Sequence, residues 1–186
     1  MSAGYAPSSD AKSPFDSSRS IALVGLSGSG KSSVAPILAS RLGYGPAVDL
    51  DRVIEAMFSR TIAEIFAEDG ETRFREFESD ALREALMGGP VVIATGGGAV
   101  LDRGNRAMLR GPDVRVVWLR GSPGRLAERL ADTTEARPLI QGDYAFALQR
   151  LSEEREALYQ EVSDYIVDVD GLDVRSVVDE VERVLR

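Results

Sequence analysis

Lys31 stands at the end of Gly25-Leu26-Ser27-Gly28-Ser29-Gly30 and is followed by Ser32 and Ser33. This is G-x4-G-K-S, a spacing suited to holding phosphates. Glycines let the backbone turn tightly, so that successive N–H groups aim inward at anionic oxygens. A helix starting at the lysine adds its partial positive charge. The ammonium of Lys31 then reaches the β- and γ-phosphates of a nucleotide, and the Ser32 hydroxyl is placed to ligate Mg²⁺. The chain has only two lysines, Lys12 and Lys31, which makes a chance match rarer. The loop implies a nucleoside triphosphate and Mg²⁺, and leaves the acceptor open.

Other residues narrow the chemistry. The chain has no histidine, so a general base must be a carboxylate or a water. Asp49 and Asp51 close a short apolar run at about Ala47–Leu50. If that run is a strand, alternation puts both carboxylates on one side. One then serves Mg²⁺ and the other an acceptor hydroxyl. The competing reading is that they cap the next helix. Gly96-Gly97-Gly98 follows another apolar run and lets backbone approach a small polar ligand, or is a plain turn. Arg75, Arg137 and Arg155 taken singly read as solvated surface residues.

Absences also discriminate. Neither lysine is followed by x-Asp, against a guanine-specific switch. Val91–Ala94 runs into Thr-Gly-Gly-Gly and not into an aspartate, against a motor or helicase ATPase.

The elements that must position these residues alternate. Strands are expected at about 21–24, 47–50, 91–94, 114–119 and 165–168. Helices are expected at about 31–42, 52–58, 62–68, 72–87, 103–109, 144–162 and 174–185, with one more opened by Ser122 as N-cap and Pro123 at N1. Gly43 suits the C′ position of the first helix. Pro36 lies early enough in that helix to be tolerated. Alternation of this kind, with continuous apolar strands, implies a five-stranded parallel sheet in a three-layer α/β/α sandwich.

Length and charge bound the rest. A chain of 186 residues is one domain by size. A net charge of −8 disfavours a general nucleic-acid or anionic-membrane binder. With no cysteine there is neither a disulfide framework nor a thiolate metal site. No apolar stretch approaches the roughly 18 residues of a membrane span. Residues 1–19 are rich in Ser, Ala, Pro and Asp without periodicity and read as a disordered tail before a single domain at 20–186. The tail's equal acidic and basic content weakens a transit-peptide reading. A cytoplasmic monomer is expected.

Taken together the residues resemble a shikimate kinase. The matching pieces come in family order: Gly-x4-Gly-Lys-Ser at 25–32, Asp-x-Asp-x-x-Ile-Glu at 49–55, Ile-Ala-Glu-Ile-Phe at 62–66, Asp-Gly-Glu-x-x-Phe-Arg-x-x-Glu at 69–78, Gly-Gly-Gly-Ala at 96–99, Arg-Pro-Leu-Ile at 137–140 and Arg-x-x-x-Tyr at 155–159. The resemblance covers about Ile21 to Leu185. It implies a phosphate-loop fold like that of nucleoside monophosphate kinases, with a mobile lid at about 130–143. It also implies transfer of the γ-phosphate of ATP to the 3-hydroxyl of shikimate. Gly28, Ser29, Gly30, Lys31, Ser32 and Ser33 would bind ATP, and Asp49 would support the Mg²⁺ water shell. Asp51 would hold the acceptor hydroxyls and serve as base. Arg75 and Arg155 would clamp the shikimate carboxylate, with Glu78 supporting the clamp and Gly97 and Gly98 contacting a hydroxyl. Arg137 on the lid would meet the transferring phosphate. Fixed guanidinium forks suit a small carboxylate.

Three features depart from the family pattern: Leu50 between the two aspartates instead of Thr, Ser59 where Gly is usual, and no arginine around Gly171–Leu172, which bears on adenine affinity. Two rivals remain. Another small-metabolite kinase, such as a gluconate kinase, usually carries a histidine soon after its acidic motif, and this chain has none. A catalytically silent binding domain of the same family has no need of intact Lys31, Asp51, Arg75 and Arg137.

Overall fold

The computed structural model of the protein describes residues 17–131 and 144–186. The expected tail, as far as residue 16, and most of the expected lid, including Arg137, lie outside the described residues. Five strands form one parallel sheet: β1 Ser20–Val24, β2 Val48–Asp49, β3 Val92–Ala94, β4 Val114–Arg120 and β5 Tyr165–Asp168, in the spatial order β2-β3-β1-β4-β5. Helices cover both faces. They are α1 Lys31–Leu42, α2 Leu50–Phe58, α3 Ile62–Glu68, α4 Gly70–Met87, α5 Arg103–Leu109, α6 Pro123–Ala131, α7 Tyr144–Val162 and α8 Val174–Leu185, with a short 3₁₀ turn at Ala99–Leu101.

The apolar strands explain the sheet. All five residues of β1 and all three of β3 are buried, as a parallel sheet covered on both faces requires. Register then gathers the functional loops. Leu23 pairs with Ala94, and Ala94 with Asp49, so β1, β3 and β2 end at one level. The segments that leave those ends, 25–30, 95–98 and 50 onward, therefore meet along one edge, where α/β folds place their ligands. At the other end, Arg19 anchors the entry to β1. Its guanidinium donates to the Val114 carbonyl at 2.9 Å, and its own carbonyl accepts from the Tyr44 hydroxyl at 2.6 Å.

One expectation is corrected. The strand does not run through Leu50 with both aspartates on it: β2 stops at Asp49 and Asp51 lies in the first turn of α2. Two effects end the strand. The Asp49 carboxylate accepts from the Arg52 N–H at 3.4 Å, taking up a free amide of the first helical turn. Leu50 is fully buried, so its side chain anchors that turn in the core, a burial contributing about 2–3 kcal/mol. This gives a packing reason for Leu50 between the aspartates. Ser59, the second departure, ends α2 in the left-handed region at φ 51° and is the only non-glycine residue with positive φ among those described. α1 continues unbroken through Pro36.

Candidate active site

The phosphate loop is built by tight approach. Gly25 has φ 139°, and a Cβ there would stand 2.5 Å from the Leu119 carbonyl of β4, so no larger residue fits. Gly30 caps α1 at φ 95°, a left-handed conformation that lets the chain turn directly into the helix. Lys31 is buried at 7% exposure. Its ammonium donates to the carbonyls of Gly25 at 2.7 Å and Leu26 at 2.9 Å, and to Ser29 Oγ at 3.4 Å. The lysine thus braces the loop it serves. Ser32 and Ser33 are exposed at the start of α1.

Across the cavity, α4 supplies Arg75 and Glu78. Arg75 donates to Glu78 Oε2 at 2.7 Å and to Glu71 Oε1 at 3.1 Å, and lies over the rings of Phe74 and Phe66 at 5.2 and 6.0 Å. Burial works against its charge, but Glu78 and Glu71 hold its pKa above the ordinary value. Glu78 is fully buried. Desolvation pushes its carboxyl up to about 7; Arg75 and Arg155 oppose that rise and Asp51 adds to it.

The three glycines seat these side chains. A Cβ on Gly98 would overlap the Arg75 guanidinium. A Cβ on Gly96 would overlap Glu78 Oε1 and come to 3.0 Å from Asp51 Oδ1. The carbonyl of Gly97 accepts from the Tyr159 hydroxyl at 2.5 Å and from Arg155 at 3.2 Å. From the sequence these glycines are open to two readings, a close approach to a ligand or a plain turn. Here two of them also make room for protein side chains from α4.

One cavity of about 1120 Å³ joins all of this. It is lined from Ser27 through Ser33 of the phosphate loop, by Asp49 and Asp51, and by Arg75, Glu78, Gly96, Gly97, Gly98 and Arg155. Three buried polar atoms on its lining side chains have no hydrogen-bond partner among the described residues: Nε of Arg75, Nε of Arg155 and Oε1 of Glu78. Buried polar groups are rarely left so. Two guanidiniums with spare donors point to an anionic ligand. At the far end the lining is Arg129, Leu130, Leu172, Asp173, Val174 and Val177.

The match with known proteins agrees with this layout. The family model for shikimate kinase matches residues 27–186. A shikimate kinase of Symbiobacterium thermophilum is 42% identical over 163 residues, spanning 87% of this chain and 92% of the relative. This chain belongs to the shikimate kinase family. A solved shikimate kinase from Acinetobacter baumannii in complex with shikimate superimposes with a TM-score of 0.81 at 34% identity, covering 90% of this chain and 92% of that one. A gluconokinase from Sinorhizobium meliloti lies further off, with a TM-score of 0.56 at 25% identity over 90% of this chain and 91% of that one. Shikimate kinases are ATP-using phosphotransferases that act on an alcohol.

Within this shikimate kinase fold the expected residues converge, except Arg137, which lies outside the described residues. The sequence reading gave no role to two contributors. Tyr159 closes the quoted Arg-x-x-x-Tyr motif, and its spacing of four from Arg155 puts both on one helix face. Arg129 comes from α6 and donates to the carbonyls of Val169 and Leu172 at 2.7 and 2.9 Å, holding the segment between β5 and α8. An arginine 43 residues away in sequence thus reaches the Leu172 carbonyl in space.

Proposed function

We propose that the protein transfers the γ-phosphoryl group of ATP to the 3-hydroxyl of shikimate, giving shikimate 3-phosphate and ADP. The observation that carries this reading is a pair of guanidiniums, half-buried Arg75 and buried Arg155, in the same cavity as the phosphate loop and Asp51. Membership of the shikimate kinase family supports it.

The loop amides of Gly28, Ser29 and Gly30, the ammonium of Lys31 and the hydroxyls of Ser32 and Ser33 are assigned to the ATP phosphates. The Lys31 ammonium already has three oxygens in reach, so a phosphate oxygen displaces one of them. The 3.4 Å contact to Ser29 is the longest of these. Arg75 and Arg155 hold the acceptor carboxylate with their spare donors, and Glu78 fixes Arg75. Gly97 and Gly98 floor the acceptor pocket. Asp51 orients the 3-hydroxyl and accepts its proton as that oxygen bonds to the γ-phosphorus. The bond from phosphorus to the β–γ bridging oxygen breaks, and ADP leaves with the electron pair. Arg137 is assigned to the charge on the moving phosphoryl group. Such transfer needs positioning and charge neutralisation more than covalent chemistry.

Ser32 and Asp49 line the cavity with a hydroxyl and a carboxylate, the oxygen donors that Mg²⁺ takes alongside waters and substrate phosphates. Among the described residues no group of three or more acidic side chains forms a protein cage for a metal, which fits an ion held chiefly by phosphates and water. When bound with ATP, Mg²⁺ supplies charge neutralisation at the phosphates. We further assign a cytoplasmic, monomeric state with no nucleic-acid or membrane partner. No helix among the described residues is long and apolar enough to cross a membrane.

The test is ADP release from ATP with shikimate, with gluconate and with no acceptor. Release that depends on shikimate supports the reading. Release equal in all three, or only with gluconate, overturns it.

A further inference from the structure

Two donors from one helix converge on a single backbone oxygen behind the acceptor pocket. Arg155 and Tyr159 lie one turn apart on α7 and both bond the Gly97 carbonyl, at 3.2 and 2.5 Å. Arg155 and Gly97 line the cavity; Tyr159 does not. It is 1% exposed, and its ring stacks on Trp118 of β4 with centroids 5.6 Å apart. Trp118 is itself paired with Val24 of β1 and Ile166 of β5, inside the sheet. A chain of contacts therefore runs from the sheet through Trp118 and Tyr159 to Gly97, and from Gly97 to Arg155.

We propose that Tyr159 is a positioning residue of the acceptor site: its phenol holds the Gly97 carbonyl at a fixed place and so sets where Arg155 presents its guanidinium. This rests on the reading that Arg155 binds the acceptor carboxylate. The geometry explains why a second donor is needed. Arg155 alone would have to satisfy the buried carbonyl and the ligand together, and its Nε has no hydrogen-bond partner among the described residues. The phenol takes up one lone pair of the carbonyl and frees Arg155 for the ligand. Neighbours extend the effect. Gly96 and Gly98 carry the seats of Glu78 and Arg75, so a shift of Gly97 moves the floor under the other arm of the clamp. Burial raises the phenol's pKa above its ordinary value, so Tyr159 stays a donor at working pH.

The experiment compares Tyr159→Phe, Trp118→Phe and Arg155→Lys with the wild type, measuring KM for shikimate and for ATP, kcat and melting temperature. Tyr159→Phe keeps the ring and loses only the hydroxyl. We expect its shikimate KM to rise about 3- to 10-fold, the loss of one buried hydrogen bond. ATP KM and kcat should change by less than about twofold, since the phosphate loop is untouched. Trp118→Phe keeps the phenol's bond, so it should lower melting temperature without that rise in shikimate KM. If Arg155→Lys raises shikimate KM while Tyr159→Phe leaves it unchanged, or raises both substrates' KM equally, Tyr159 is merely structural and the inference fails. If Arg155→Lys also leaves shikimate KM unchanged, the clamp reading itself fails and the inference falls with it.

Discussion

Arg75 and Glu78 lie one turn apart on α4 and share a 2.7 Å ion pair in which the carboxylate is wholly buried and the guanidinium edge faces the cavity. The pair is asymmetric. One oxygen of Glu78 is spent on Arg75, and the other faces Gly96 and Asp51 without a hydrogen-bond partner among the described residues.

That asymmetry gives a pH dependence. The folded Glu78 carboxyl titrates at about 7 against an ordinary 4.5, so the folded protein binds this proton more tightly than the unfolded chain. The contribution to stability is therefore most favourable below about pH 4.5, is lost as pH rises through about 7, and is flat above. At about 1.4 kcal/mol per unit the swing is on the order of 3 kcal/mol. The direction is opposite for Asp168 and Asp173, whose values are lowered by Arg120 and by the Ser176 amide, so the wild-type profile mixes both signs. Glu78→Gln isolates the one group. Its melting temperature should fall less between pH 5 and pH 8 than that of the wild type. Parallel profiles would show that Glu78 is ionised throughout.

Arg75 should act on the acceptor and not on the nucleotide. Arg75→Ala removes a charged donor to a carboxylate that does not change in the reaction, so it should chiefly raise shikimate KM. The loss in kcat/KM should be about 30- to 1000-fold, corresponding to roughly 2–4 kcal/mol. ATP KM should hardly move. Arg137→Ala should instead lower kcat by a factor on the order of 10³, because the proposed function assigns it to charge on the moving phosphoryl group. Shikimate Kd in both variants is measured by calorimetry, or by fluorescence of Trp118, the only tryptophan, which touches Tyr159. The reverse pattern would exchange the two assignments.

Ser59 carries a removable strain. It ends α2 at φ 51°, ψ 35°, with its N–H bonded to the Glu55 carbonyl, a C-cap geometry that glycine adopts without a Cβ penalty. Ser59→Gly should raise stability by about 0.5–1 kcal/mol, the steric relief being partly offset by the freer unfolded chain. For a chain of this size that is a rise of about 1–4 °C. Activity should be unchanged. A fall in melting temperature would mean that the serine hydroxyl contributes more than the strain costs.

Much of this was legible in the sequence because it is local. Gly25 to Ser32 sits between an apolar run and a helical pattern, and the strand, loop and helix form as that order demands. Asp51 was misplaced because apolar Leu50 extends the strand pattern past Asp49; the deciding facts are the cap at Asp49 and the burial of Leu50. The seats at Gly96 and Gly98 were not legible, since Glu78 and Arg75 reach them from a different element. Arg129 was missed for the same reason, 40 residues from the Val169 carbonyl it holds. Tyr159 was visible as a motif residue, but its partner Gly97 is 62 residues away.

The most direct measurement is the identity of the phosphorylated product. Wild-type protein, ATP, Mg²⁺ and shikimate are incubated and followed by phosphorus NMR. A new phosphomonoester signal, coupled to the single proton on C3 and growing in step with ADP, is the result expected here. Growth of inorganic phosphate alone, or an ester at another hydroxyl, would contradict the placement of Asp51, the arginine clamp and the phosphate loop around the 3-hydroxyl.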